Sequence, residues 1–211
     1  MTRETYIELV RRQIYGGFPS SDAEITVGLV NTWLDQAIAF AAKKNYTDNA
    51  KLEGIAFVNG GFYTTFKGLA ISKDENFLWK FELPSIPPGI GYNDGISTVV
   101  LKSDLREISF PVVMITQNQK SFSRGMKSIP NKLLGYQEGK YVYVLSSVIL
   151  SQYTASVTMI SGGVSSDLDS EITVPADYLV DVTEYLKQQL GFQRLQPVDE
   201  KSDGVDSVRN V

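Results

Sequence analysis

Three carboxylates ahead of the C-terminus have a spacing that could serve a chemical role. Asp167, Asp169 and Glu171 alternate with other residues, so on a β-strand their side chains would share one face. Such a group could bind calcium or supply acid and base catalysis, because both need converging carboxylate oxygens. We favour the simpler interpretation, a solvated strand or loop edge before the last helix. Asp181 and Glu184 lie one helical turn apart and are predicted to face solvent.

The residue types that most enzymes use for proton transfer and metal binding are missing from this chain. Its 211 residues include no histidine and no cysteine. Histidine has an unperturbed pKa near neutrality, and its absence excludes Ser-His-Asp triads and histidine-based metal sites. The lack of cysteine excludes disulfides, thiolate metal sites and cysteine nucleophiles. Carboxylate and lysine chemistry remain available, but we predict no catalytic site, no metal site and no enzymatic activity.

The glycine-rich segment Gly89-Ile90-Gly91 is the nearest approach to a phosphate-binding loop. It lacks the third glycine of a dinucleotide-binding motif and is not flanked by a strand and a helix. No P-loop lysine pattern occurs in the chain. We therefore predict no nucleotide cofactor.

The most basic segment runs from Gln117 to Lys132. It has an interleaved aromatic residue and no acids, and its candidate partner contacts are Lys120, Phe122, Arg124 and Lys127. Such a segment could contact a phosphate backbone or an acidic protein surface. The alternative, which we favour, is a flexible, positively charged loop, and in an oligomer it could face a neighbouring subunit.

The overall composition is that of an ordinary globular protein. The chain is 43% hydrophobic and 21% charged, with a formal net charge of −4, and its length suits one domain with appendages. The acidic balance does not favour non-specific DNA binding. The first residues lack the apolar core of a signal peptide, and no apolar run is long enough to span a membrane. We expect synthesis in the cytoplasm.

Both ends of the chain are predicted to be helical. Apolar residues recur at helical spacing from Thr2 to about Tyr15, and a glycine pair follows. Ser21-Asp22-Ala23-Glu24 has the pattern of a capping box, and we predict a long helix behind it to about Lys44. A short helical turn is predicted for Thr47 to Glu53. Pro175 predicts the start of a last helix, which Gly191 is expected to end.

The middle of the chain has the alternation and turn signals of β-strands. Asn59-Gly60-Gly61 predicts a hairpin between residues 54–58 and 62–66. Further strands are predicted at 76–83, 97–102, 107–116, 136–144 (a hairpin with its turn at Glu138-Gly139) and 153–161. Residues 84–95, rich in proline and glycine, are predicted to be an extended loop.

These elements predict an α+β fold with N-terminal helices, a central antiparallel sheet or sandwich of six to eight strands, and a C-terminal helix. The predicted segments are 1–53 (helical), 54–174 (β), 175–196 (helix) and 197–211. The last segment is polar and acidic, and we expect it to be flexible alone or ordered on a partner. Its candidate contacts are Asp199, Asp203 and Asp206.

The C-terminal third of the chain resembles a family of phage proteins. ITVPADYLVDVTEYLKQQL at 172–190, the segments 192–199 and 202–206 that follow it, and Ile129-Pro130-Asn131-Lys132-Leu133-Leu134 upstream are similar to virion structural proteins of crAss-like and related Bacteroidetes phages. The resemblance implies a neck or adaptor protein of the head-to-tail connector. Such proteins form cyclic rings, commonly of about twelve copies, between the portal and the tail around the DNA channel.

The resemblance also implies partners and a location. The expected partners are other copies of the chain, the portal and adjacent tail or ring proteins, with packaged DNA close by and no membrane. The proline-rich loop, with Ile90 and Tyr92 as candidate contacts, could clasp an adjacent subunit, and the acidic tail could be ordered on the next ring. The expected location is the virion neck.

Two other classes of function remain open. One is a different virion binding module, for instance a baseplate or fibre-attachment protein, which would be a monomer or trimer with an exposed aromatic surface. The other is a carboxylate-dependent hydrolase, which needs two carboxylates at a fixed separation in a cleft. A ring protein would instead show heterologous contacts between its copies.

Overall fold

The structure is a computed structural model of the chain. It describes residues 1–19, 24–91, 95–103, 108–119, 133–146, 149–164 and 167–195, with the backbone alone at 117 and 192–195. Within these ranges it contains helices α1 (Arg3–Tyr15), α2 (Val27–Glu53) and α3 (Leu179–Leu195), and seven strands. The predicted α+β class is confirmed.

The first helix matches the prediction at both ends. The side chain of Thr2 caps α1 by accepting a hydrogen bond from the amide of Thr5, which satisfies one of the free N–H groups of the first turn. Gly16 ends the helix with a left-handed backbone at φ 69°.

The second helix is displaced from its predicted bounds at both ends. Thr26, not Ser21, is its N-cap, and its hydroxyl accepts from the amide of Leu29 at 3.2 Å. The capping-box residues 21–23 lie outside the described residues. The helix continues without interruption past Lys44 to Glu53, and Gly54 ends it at φ 72°. The polar run from Lys43 to Asn49 concealed this continuation, since it breaks the apolar periodicity without containing a helix breaker.

The predicted hairpin at 54–66 is wrong. Residues 55–59 form no strand but fold back on the last turns of α2 through asparagine side chains. The Asn45 side-chain oxygen accepts from the amide of Asn59 at 2.8 Å, and Asn49 Nδ2 donates to the carbonyl of Phe57 at 2.9 Å. These bonds take up the backbone groups that a hairpin partner would have used.

The seven strands form a closed barrel in the order β1-β2-β6-β5-β4-β3-β7. Their bounds are β1 (Tyr63–Lys73), β2 (Trp79–Glu82), β3 (Ile96–Ser103), β4 (Ser109–Met114), β5 (Leu133–Glu138), β6 (Tyr141–Leu145) and β7 (Tyr153–Ile160). Residues 83–91 are without strand, as predicted for the extended loop. The sheet was predicted to be antiparallel throughout, but β4 and β5 pair in parallel over three positions.

The last helix begins and ends later than expected. Pro175 is not its first residue but the N-cap position of a short 3₁₀ turn, Ala176–Tyr178, that leads into α3 at Leu179. Gly191 does not end α3, which continues to Leu195. A single glycine inside a helix lowers its stability by only about 1 kcal/mol. The helical preference of the neighbouring residues can offset this loss, so the helix continues past Gly191.

The described residues contain two hydrophobic cores. One lies among the three helices and includes Phe62 and Ile160, at the start of β1 and the end of β7. The other fills the barrel. We call the helices with their core the helical end of the subunit. Because β1 begins and β7 ends there, the helices lie at one end of the barrel.

Candidate assembly surfaces

Most of the residues predicted to contact partners lie outside the described residues. These are Lys120, Phe122, Arg124 and Lys127 of the basic segment, Tyr92 of the proline-rich loop, and Asp199, Asp203 and Asp206 of the tail. They stay predictions.

Ile90 is the one predicted contact that the structure describes. It is only 7% exposed and belongs to the helical core. Next to it, Gly91 has φ 60°, and a Cβ at this position would come within 2.8 Å of the hydroxyl of Tyr46. The described part of the loop is therefore packed on α2 of its own subunit, and Ile90 contributes to the fold.

A cleft lies beside this loop, between α2 and the near end of the barrel. We call it the waist cleft. Its volume is about 460 Å³, and its lining residues are Tyr46, Ala56, Phe57, Val58, Tyr63, Ile90, Gly95, Ser97 and Ile160. Burial raises the pKa of the Tyr63 hydroxyl above its usual value. The waist cleft is thus a partly apolar recess with aromatic walls.

Exposed apolar side chains lie in the last turn of α2 and in the segment just after it, and one of them, Phe57, lines this cleft. Leu52 is 83% exposed and Ile55 is 68% exposed, and Phe57 is exposed at the cleft wall. The asparagine contacts described above hold this segment in place. We call these three residues the α2-end patch.

A second exposed aromatic group lies at the tip of the β1–β2 hairpin. Phe77 is 79% exposed and has φ 61°, which makes it the only non-glycine residue with positive φ in the described ranges. Its amide donates to the carbonyl of Asp74 at 3.1 Å, and the amide of Asp74 donates to the carbonyl of Leu78 at 2.9 Å. This is the pattern of a three-residue hairpin loop, whose last position is left-handed and normally occupied by glycine.

The side chain of Asp74 holds this tip in shape. One of its carboxylate oxygens accepts from the amides of Asn76 and Leu78, at 2.9 and 2.8 Å. Below the tip, the ammonium of Lys73 lies 4.6 Å from the centre of the Trp79 ring. The backbone strain at Phe77 is therefore sustained by local contacts.

Strand direction places this tip at the end of the barrel farthest from the helices. The eleven residues of β1 span about 35 Å at about 3.3 Å per residue. The connections from β3 to β4 and from β6 to β7 lie at the same end, because β3 and β6 run away from the helical end. Ile108 and Ile149 in these connections are exposed. We call Phe77, Ile108 and Ile149 the far rim.

A buried arginine joins the parts of the helical end. Arg3 is fully buried, and its guanidinium donates to the carbonyl of Gly162 at 2.7 Å and to the side-chain oxygen of Asn31 at 2.7 Å. It also forms an ion pair with Asp35 at 2.8 Å. These contacts, which we call the Arg3 network, connect α1, α2 and the segment after β7.

A second cleft, of about 350 Å³, lies beside the Arg3 network. Asp35 is the one carboxylate among the described residues that line it, and that carboxylate is paired with Arg3. The described lining therefore lacks the second carboxylate that the alternative function, a carboxylate-dependent hydrolase, requires. Within the described ranges, no three side chains of the usual ligand types gather closely enough to hold a metal ion.

The acidic residues singled out by their spacing do not form a strand face. Asp167 begins a turn, in which its side chain accepts from the amide of Asp169 at 3.0 Å and its carbonyl from that of Ser170 at 3.2 Å. Asp181 is not simply solvated, because it accepts a hydrogen bond from Lys44 at 2.6 Å. That hydrogen bond is the main cause of a raised pKa of Lys44.

No model of a protein family matches this chain, and no curated protein matches it either. None of the helices in the described part of the chain has both the length and the apolarity needed to cross a lipid bilayer.

Proposed function

We propose that this chain is a non-catalytic structural subunit of a cyclic assembly, a ring of a phage head-to-tail connector that links the portal to the tail. The phage assignment rests on the sequence resemblance. The role as an assembly subunit rests on one observation of the structure: exposed apolar side chains occur near both ends of the barrel, in the α2-end patch and on the far rim.

Grouping is what distinguishes these residues from ordinary exposed apolar side chains. Single exposed apolar residues are common on monomers, whereas groups of them mark contact sites. Two different groups at opposite ends favour contacts between unlike surfaces. Contacts of that kind generate a closed ring when the rotation between subunits closes.

The chemistry of the clefts also favours a structural role over hydrolysis. The one carboxylate in the described lining of the cleft beside the Arg3 network is held in an ion pair by a buried guanidinium. The waist cleft is lined by tyrosine, phenylalanine and aliphatic side chains, which are typical of sites that bind apolar or aromatic groups.

The test is the mass of the purified protein in solution, measured by light scattering alone and then with portal and tail proteins of the phage. We expect a closed ring, or a monomer that joins a ring when its partner is present. A monomer that binds neither partner would contradict the proposal. A trimer without a ring partner would favour the fibre-attachment alternative.

The acidic tail provides a second test of the connector assignment. Deletion of residues 202–211 should weaken binding to the adjoining ring protein and leave the circular dichroism spectrum unchanged. Normal binding by the truncated protein would contradict the role proposed for Asp203 and Asp206.

A further inference from the structure

We propose that Phe77 of one subunit inserts into the waist cleft of a second copy of the same chain, so that the hairpin tip and the cleft are the two halves of the contact between neighbouring subunits. This inference rests on the proposed ring and names the residues that make it. It starts from the unusual backbone of Phe77.

The conformation of Phe77 is costly for a residue with a Cβ. In a three-residue hairpin loop the left-handed position is normally glycine, because a side chain there meets the following carbonyl. The chain has phenylalanine at this position, 79% exposed to solvent. Neither the backbone geometry nor the packing of the monomer gains from that choice. A backbone outlier with an exposed aromatic side chain points to a binding role.

The waist cleft has the chemistry to receive a phenyl ring. Aromatic side chains of Tyr46, Phe57 and Tyr63 line it, and its volume is about 460 Å³. Phenyl rings pack favourably in stacked or edge-to-face geometry against such walls. Leu52 and Ile55, both exposed, precede the lining residues Ala56 and Phe57 in the chain and offer further apolar surface for an inserted hairpin.

Charges of opposite sign flank the two halves. Glu75 is exposed on the hairpin tip, two residues before Phe77. Lys43 is exposed on α2, three residues before Tyr46, and therefore lies on the same helical face one turn away. A second copy that places Phe77 in the cleft can bring this carboxylate towards this ammonium.

Strand direction carries the tip away from the cleft of the same subunit. Tyr63 at the cleft and Lys73 at the base of the tip are the two ends of β1, up to about 35 Å apart, and the strand is interrupted by a bulge between Phe66 and Leu69. We therefore assign the occupant to another molecule. A single phenylalanine buries about 200 Å², well below the roughly 1,200 Å² of a stable interface. The contact would be weak in an isolated pair and strengthened by ring closure, in which every subunit uses both halves.

Disulfide trapping tests a weak contact directly, and the chain contains no cysteine to interfere. The full-length double variant Asn76→Cys/Ala56→Cys places one thiol beside Phe77 and one in the waist cleft. The matched control, Asn76→Cys/Gln188→Cys, moves the second thiol to an exposed position on α3. Both are oxidised at the same concentration and separated on non-reducing gels.

We expect the tip–cleft variant to form a ladder of dimers, trimers and larger species at least tenfold faster than the control. Adding Phe77→Ala should reduce this rate to that of the control, whereas Phe77→Trp should preserve it. Combining Glu75→Lys with the tip–cleft pair should slow the trapping, and a further Lys43→Glu should restore it. Equal rates for the tip–cleft variant and the control would overturn the inference.

This outcome is distinguishable from failure of the ring itself. If light scattering shows a closed ring and the tip–cleft pair does not cross-link, the ring stands and the contact assigned to Phe77 is wrong. If the protein remains a monomer with every partner and no ladder forms, both proposals fail.

Discussion

The helical end and the barrel differ in how their interiors are held together. The buried polar side chains of the described residues are Arg3, Asn45 and Ser161, and all three lie in the helical end or where the barrel joins it. The buried side chains inside the barrel are all apolar within the same ranges. One interior is thus fixed by directional contacts and the other by apolar packing.

The difference follows from where strands and helices find hydrogen-bond partners for their backbone N–H and C=O groups. Barrel strands bond to their neighbours, so the hydrogen-bond ladder itself fixes how the strands lie relative to one another. A helix satisfies its backbone internally, and apolar packing alone leaves its position relative to other helices weakly specified. Side-chain bonds such as those of Arg3 and Asn45 supply the missing directional information. The predictions below test that contrast, from the largest effect to the smallest.

Removing a large side chain from the barrel core should lower the free energy of unfolding more than any other change predicted below. Phe81→Ala should lower the free energy of unfolding by about 4 kcal/mol, through lost burial and the cavity left behind. Urea denaturation measures the loss, and Phe18→Ala is the control because Phe18 is exposed. A loss below about 1 kcal/mol would mean that apolar packing is not what stabilises the barrel.

Replacing the buried Arg3 should give the second-largest loss of stability. Arg3→Met retains much of the side-chain volume but leaves the Gly162 carbonyl and the Asn31 side chain without their donor. Unsatisfied buried acceptors cost about 1–3 kcal/mol each, so we expect a loss of about 3 kcal/mol in urea denaturation. The exposed Arg12→Met is the control. An Arg3→Met protein as stable as the wild type would refute the role assigned to polar contacts at the helical end.

Tyr6 should show a smaller effect that depends on pH. Its hydroxyl bonds to Thr183 at 2.8 Å, and burial raises its pKa above 10.0 while that hydrogen bond lowers it by less. The unfolded chain therefore loses this proton at lower pH than the folded one. The stabilisation that the protonated Tyr6 hydroxyl gives to the folded state is complete below pH 10 and is lost as the pH rises through the higher pKa of the folded state.

Tyr6→Phe tests this contribution. It should destabilise the protein by about 1 kcal/mol near neutral pH and make stability above pH 10 less dependent on pH. Denaturation curves recorded at neutral and alkaline pH measure both effects. An identical alkaline decline in wild type and variant would assign the decline to other groups, Tyr63 among them.

The smallest expected change is a gain in stability, from a substitution at the far end of the barrel. Phe77→Gly relieves a left-handed strain of about 1–2 kcal/mol, offset by roughly 0.5–1 kcal/mol of added chain entropy. We expect a net stabilisation of about 0.5 kcal/mol in thermal or urea unfolding. Phe77→Ala keeps the Cβ and should bring no gain. Destabilisation by Phe77→Gly would show that the ring contributes to the monomer fold.

Local signals in the sequence were sufficient for much of the fold. Helical periodicity and the glycine pair at Gly16 predicted the first helix, because periodicity and C-capping are decided within a few residues. Alternation over 76–83 placed Phe77, Trp79, Phe81 and Leu83 on one side of a strand; the last three are buried, but Phe77 is 79% exposed. Glycine at 139, with φ 60°, marked the β5–β6 turn.

What the sequence did not reveal depends on contacts between distant residues. Asn59-Gly60-Gly61 can form a hairpin turn only if the residues before it are free to pair as a strand. Here the backbone of Phe57 and Asn59 is instead hydrogen-bonded to the side chains of Asn49 and Asn45 on α2. Closure of the sheet into a barrel is decided by the pairing of β1 with β7, which no local pattern encodes. Alternation placed Phe77 in a strand, whereas it occupies the left-handed position of a hairpin loop, because the β1–β2 register that sets the loop type is not encoded locally.

The Arg3 network has a consequence for the order of events during synthesis. Arg3 and its acceptor Gly162 are 159 residues apart in the chain, and the first amides of α1 bond to the carbonyls of Leu168 and Ser170. At typical elongation rates a ribosome needs about 10–30 s to cover that distance. The contacts that fasten the start of α1 to this segment can therefore form only after all seven strands of the barrel have been translated.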